Sequence, residues 1–384
     1  MGCHAGLNVP PNASTDDLDI VQAFAQNGVV AYIAPTGFGI GSPRTRAAHE
    51  LLLSYFTRYL CEGMDAGTAL MLAKQEYWVT NYDFNYFDEQ AIETTTLYGL
   101  PIARVNIPHS AAASNEYRIM TKSSAEEQPD TLVIRPTYSL VSTRDGDYFI
   151  SSGGELLSDP RKPILPKEIR IFHPTPTRVL RGAVMTSAKY RIEAPFKPLI
   201  EYYQKSDRPT AEPTDELRNW YPARIFKINS ISYPERPAES RQYLVIVTGQ
   251  YRGRVSHNAK GTERVYDELS FDLYYASPGE ETNLPVITDV SCAKICGNVS
   301  ITVNVSDESA IQRVLVTYTD NNGAWGEWKR EDLEEKGEAL WGCCIPAKEE
   351  IEFFVQVVDV YGNVGVDDNE GHYYPEKKEN LPGG

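Results

Sequence analysis

The sequence predicts a multidomain chain: an α/β unit with a partial parallel sheet, then an all-β unit, then a β-sandwich. Three observations predict it. At 384 residues the chain exceeds one ordinary domain. Its first hundred residues alternate helix-period runs with a short apolar run that ends in a glycine-rich loop. After His109 the texture changes to short β-branched runs separated by proline and glycine.

The elements of the first unit follow in order. Ser14, Thr15, Asp16 and Asp17 offer cap side chains before Leu18, Val21 and Ala25, which recur at helical spacing, and Gly28 supplies a stop. Val29-Val30-Ala31-Tyr32-Ile33-Ala34 reads as a strand buried on both faces, with the loop Pro35-Thr36-Gly37-Phe38-Gly39-Ile40-Gly41 at its carboxyl end. Ser42 and Pro43 open a second helix whose apolar face is Ala48, Leu51, Leu52, Tyr55, Phe56 and Tyr59, and Gly63 ends it. A third helix from about Ala66 carries Leu70, Ala73 and Tyr77, and residues 94–101 lead into a short strand from Ile102 to Val105.

Gly2-Cys3-His4-Ala5-Gly6 places a cysteine among small residues at a turn, which is how a nucleophilic thiol is presented; such a thiol needs a base to become a thiolate. In open α/β sheets functional loops lie beyond the carboxyl ends of the strands, so the Cys3 turn and the 35–41 loop are expected to share one rim. The order Gly-Cys-His-Ala-Gly, helix, apolar strand, Thr-Gly-aromatic-Gly loop, two helices and Tyr98-Gly99-Leu100-Pro101 resembles the carboxyl-terminal half of the caspase-like domain of gingipain-type cysteine peptidases, over residues 1–108. The resemblance implies that Cys3 is the nucleophile and that Thr36, Gly37 and Phe38 line the substrate pocket. It also implies a catalytic histidine on a His-Gly turn upstream of Met1, so that this chain is a fragment of the peptidase, expected to be inactive as it stands.

The other histidines offer no dyad. His4 and Cys3 are neighbours at a strand end and are expected to point to opposite sides. His49 is expected on a helix surface, and His109, His173, His257 and His372 in solvated linkers or β-loops. The 35–41 loop matches neither a dinucleotide fingerprint nor a Walker loop, which argues against a phosphate cradle, and a plain tight turn is its alternative reading to a pocket wall.

Residues 109–278 are expected to form a β-rich sandwich or barrel, with strands at 131–134, 148–150, 169–172, 179–184, 224–228, 243–247 and 269–275 and an extended excursion from Pro195 to Pro222. After a linker at 278–283, strands at 286–288, 299–305, 314–318 and 351–358 have the spacing of an immunoglobulin-like sandwich over 283–375, with 376–384 as a tail. Asp359 and Asn363 read as an Asx turn rather than calcium ligands; no metal or cofactor is assigned. Cys292 and Cys296 face, in sequence, the pair Cys343-Cys344, whose adjacency suits zinc poorly. One or two disulfides among these four are expected, and with them an extracellular or cell-surface location. Cys61 is expected to be a free thiol without a role.

With 37 Lys plus Arg against 53 Asp plus Glu, the net charge of −16 argues against nucleic acid and anionic membranes as partners. No apolar run spans a bilayer. Three function classes follow: a secreted cysteine endopeptidase acting on a protein or peptide substrate, a catalytically inactive adhesion or binding protein that makes cell-surface contacts through the immunoglobulin-like module, or a structural β-domain protein whose first hundred residues are an unrelated α/β fold.

Overall fold

The computed structural model describes residues 4–8, 18–106, 130–205, 216–233, 240–255, 260–295, 297–320, 324–346 and 351–375. Cys3, His109, His257, Cys296 and residues 9–17 lie outside them. Strand accounts for 52% of the described residues and helix for 15%, so the architecture is mostly β, arranged in several antiparallel sheets. Two compact units are present. The first takes residues from 1–127, 158–162 and 200–212; the second takes 128–157, 163–199 and 213–384.

In the first unit α1 (Ile20–Gln26) starts at Asp19, whose side chain accepts from the Gln22 N–H at 2.7 Å. It leads to β1 (Ala31–Pro35), β2 (Ile40–Gly41), α2 (His49–Cys61), α3 (Ala66–Thr80), α4 (Tyr86–Thr94) and β3 (Thr95–Gly99). Helices α2 and α3 form where periodicity places them, and Leu52, Tyr55, Tyr59, Ala69, Ala73 and Tyr77 build the core between them. Helix α4 was not anticipated, although Asn85 and Asp88 form a reciprocal capping box at its start.

Among the described residues no caspase-like parallel sheet is seen. β1 pairs with β3 antiparallel, Pro35 opposite Thr95 and Ala31 opposite Gly99. Helix–strand alternation suggested parallel crossovers, but α4 runs without a loop into β3 and delivers the chain to the sheet in the opposite sense. Residues 95–99, not 102–105, are therefore the strand. The burial expected of residues 29–34 also fails, because Val30 is 54% exposed.

Two returning segments complete this unit around a buried carboxylate. Glu201 is fully buried and accepts from the hydroxyls of Ser42, Thr45 and Ser158 and from the Tyr202 N–H at 2.8 Å. Tyr203 adds a hydrogen bond from its hydroxyl to the Ser158 carbonyl at 2.5 Å. Ser42, expected to cap α2, instead accepts from the Arg44 and Thr45 N–H groups of the turn before it.

The second unit begins with β4 (Thr131–Ile134), β5 (Tyr138–Ser142), β6 (Asp147–Ser151), β7 (Glu155–Leu157), β8 (Leu165–Phe172) and β9 (Val179–Phe196). β10 (Gln204–Lys205) belongs to the first unit, where it pairs with β2. Then follow β11 (Glu216–Tyr221), β12 (Phe226–Ile231), β13 (Arg241–Val247), β14 (Gly249–Arg254) and β15 (Gly261–Ala276). The last run is β16 (Val286–Ile295), β17 (Asn298–Ser306), β18 (Ile311–Thr319), β19 (Trp325–Asp332), β20 (Glu334–Gly337), β21 (Leu340–Pro346), β22 (Glu352–Asp359) and β23 (Val364–Asp367).

The expected strands are present, but the boundary expected at 278–283 is not a break in the sheet. The order β11-β14-β15-β9-β19-β18-β22-β23 is continuous, joined where Trp328 of β19 lies opposite Ala188 of β9. The sheet β16-β17-β21-β20 supplies Val299, Ile301, Val303 and Ile345 to a sandwich core with Val314, Val316, Phe353 and Val355. Two sheets thus enclose one core within 286–367, but one of them is shared with the strands before it, and 283–375 is not set off as a compact unit of its own.

Candidate functional site

The site predicted from sequence sits at the carboxyl end of β1. His4 donates its N–H to the Gly37 carbonyl at 2.8 Å, and Gly6 donates to Pro35 at 2.9 Å. Residues 4–6 therefore lie along 35–37, running antiparallel to them. The fit is close: a Cβ at Gly6 would stand 2.6 Å from the Ala34 carbonyl oxygen, which only glycine avoids. Tyr32 and Tyr98 secure the turn with hydroxyl bonds to the Ala5 and Gly6 carbonyls. Residues 4–6 thus lie beside the glycine-rich loop, while Cys3 itself is outside the described residues.

The three predicted pocket residues are held from behind by the end of α4. Thr36 donates its N–H to the Thr94 carbonyl at 2.9 Å and its hydroxyl to the same oxygen at 3.2 Å. Gly37 sits where a Cβ would press on the Thr94 methyl at 3.3 Å. Phe38 is 41% exposed, and the His4 ring meets it edge-on at 4.3 Å between centroids. Gln90 donates to the Phe38 carbonyl at 3.3 Å.

His49 corrects an expectation. It is fully buried rather than on the helix surface, with Nδ1 3.1 Å from the Ile40 N–H and Nε2 3.0 Å from Thr94 Oγ1. Burial lowers its pKa to about 4. With both nitrogens engaged, it is not a base for Cys3. His173 is in the second unit, half-buried, with its pKa lowered by burial and by Arg241. Sequence reasoning missed Thr94, Gln90 and the role of His49; the Asn85/Asp88 capping box was the signal that would have placed α4 and its end.

Among the described residues, Cys292, Cys343 and Cys344 do not bridge; Cys296 lies outside them. Cys292 in β16 and Cys343 in β21 both lie opposite Ile301, on either side of β17. Two strand spacings put them roughly 10 Å apart, beyond the ~7 Å Cα separation a disulfide spans. Cys61, Cys292, Cys343 and Cys344 are free thiols. Burial first, then Glu331 and Cys344, push the Cys343 thiol up to about 12. Alkylation of the native protein at pH 8 is accordingly expected to modify exposed Cys61 and Cys344 within minutes and Cys343 at least tenfold more slowly; peptide mass spectrometry over time checks the order.

Asp359 is fully buried and accepts from the Tyr361 and Asn363 N–H groups, each at 2.8 Å, and from the Asn363 amide at 2.7 Å. These bonds make it an Asx turn. No group of three or more His, Cys, Asp or Glu suited to a metal occurs among the described residues. No helix among them is long and apolar enough to cross a membrane. Neither protein-family models nor curated proteins give a match to this chain.

Proposed function

We propose that Cys3 is the nucleophile of a peptide hydrolase, with Thr36, Gly37 and Phe38 forming one wall of its substrate pocket. The observation that supports it is the seating of the turn after Cys3 on that loop, through the His4–Gly37 and Gly6–Pro35 hydrogen bonds. In the proposed reaction the Cys3 thiolate attacks a peptide carbonyl, the amine leaves with a proton, and water hydrolyses the thioester. The resemblance to gingipain-type peptidases supports the choice of Cys3 through residues 1–108 alone, without their fold. The extracellular location rested on disulfides, and free Cys292, Cys343 and Cys344 withdraw that support.

A peptidyl chloromethyl ketone tests the proposal, because it alkylates a thiol held beside a peptide pocket even where no base activates it. Incubation with the full chain is expected to yield one adduct, on Cys3, lost in Cys3→Ala and unaffected by Cys61→Ala. Labelling of Cys3 no faster than of exposed Cys61 and Cys344 would overturn it.

One observation favours the second reading, a binding protein without catalysis. The His4 N–H, the first amide after the thiol residue, is committed to Gly37 and is not offered to an oxyanion. Unselective labelling would support this reading.

A further inference from the structure

We infer that His49 is a positioning residue that holds the 36–40 loop in the conformation presenting Phe38, and that its protonation releases that loop. The hydrogen bonds fix its state. A backbone N–H can only donate, so the nitrogen 3.1 Å from Ile40 N, Nδ1, carries no proton. Thr94 spends its hydroxyl hydrogen on the Gln90 carbonyl at 2.7 Å, so across the 3.0 Å contact it accepts and Nε2 donates. The neutral Nε2–H tautomer alone satisfies every partner.

The same few groups anchor alternate residues of the loop. Thr36 is tied to the Thr94 carbonyl, Phe38 to Gln90 and Ile40 to His49. His49 therefore closes a ring of contacts joining the start of α2, the end of α4 and the loop, while the Phe38 ring stays outward. The backbone before it is bent to this purpose: buried Ala48 has φ 48°, a left-handed value uncommon for a residue with a Cβ.

A proton on Nδ1 would face the Ile40 N–H donor to donor, in a place without solvent. The charged groups on the neighbouring elements are Arg46 in the turn before α2, Glu50 and Arg58 on α2, and Asp88, Glu89 and Glu93 on α4. Glu50 accepts from the Ser42 N–H, and Asp88 from Tyr77 and Asn85; burial, not these charges, holds the imidazole neutral. The sign follows from linkage. The unfolded chain takes up this proton near pH 6.5 and the native one near 4, so the anchor contributes fully above about 6.5 and is lost as pH falls through about 4. The inference does not depend on Cys3 being a nucleophile.

Nitrogen-15 spectra of the full chain with labelled histidine test the tautomer and its titration, and hydrogen exchange of residues 36–41 tests the release. The expected result is an unprotonated Nδ1 at pH 7, an imidazole that titrates near pH 4, and loop protection factors that fall about tenfold or more across that titration. His49→Leu is expected to lower the same protection at pH 7 and to abolish its pH dependence. If that variant does not fold, the wild-type titration decides alone. A His49 that titrates near 6.5, or loop protection indifferent to its protonation, would overturn the inference. No readout involves thiol labelling, so its failure is distinct from failure of the proposed function.

Discussion

Trp328→Ala is expected to destabilise the second unit by about 3–5 kcal/mol, the usual cost of removing a large buried ring. Trp328 is fully buried and meets Phe354 at 5.4 Å and Tyr373 at 5.3 Å between centroids. The Arg264 guanidinium lies over its ring and those of Trp220 and Tyr190, at 5.3, 4.1 and 4.5 Å, and bonds Glu352 at 2.9 Å. One substitution thus opens a cavity and strips a wall from a buried cation. Because β19 joins β9 in one sheet, residues 130–276 and 284–375 should lose stability together. Hydrogen exchange of the full chain in graded denaturant checks this, and loss confined to 284–375 would show that the sandwich is an independent domain.

Glu263→Gln is expected to stabilise the protein increasingly as pH rises. Glu263, in β15 between Tyr251 of β14 and Glu193 of β9, is fully buried, and neither carboxyl oxygen has a hydrogen-bond partner. Burial, then the charge on Glu193, raises its pKa well above the ordinary carboxylate value, with Arg191 opposing. A raised native pKa contributes stability below the unfolded value, near 4.3, and that stability is lost as pH rises. The advantage of the glutamine variant over wild type should widen by about 1.4 kcal/mol per pH unit above ~4.5, until the native carboxyl ionises. Denaturant melts at pH 5, 6.5 and 8 measure it, and a gap constant across that range would mean that Glu263 is already ionised in the folded protein.

Much of the rim was legible because its signals are local. The Gly6 and Gly37 positions, the loop after β1 and the helices α2 and α3 all follow from residues close in sequence. His49 was not legible: at the first position of α2 it resembles any polar residue near a helix start, and only α4, folded back from forty-five residues away, gives its Nε2 a partner. Cys292 and Cys343 show the same limit. Their spacing suits a bridge, and the strand inserted between them forbids it.

The sequence by itself determined where helices and strands form, because period, caps and turn residues act over a few positions: Asp65 caps α3 through the Thr68 N–H at 2.9 Å, and alternation from Val299 to Val305 marks the buried face of β17. Tertiary structure alone decided the direction in which strands pair and which of them share a sheet. An apolar strand such as residues 31–35 carries the same pattern in parallel and antiparallel pairing. What made it antiparallel is the route of α4 into Thr95, and what joined β19 to β9 is the packing of Trp328 against residues more than a hundred positions away. Local free energies fix the element; the choice of neighbour depends on surfaces that meet only once the chain has closed long loops.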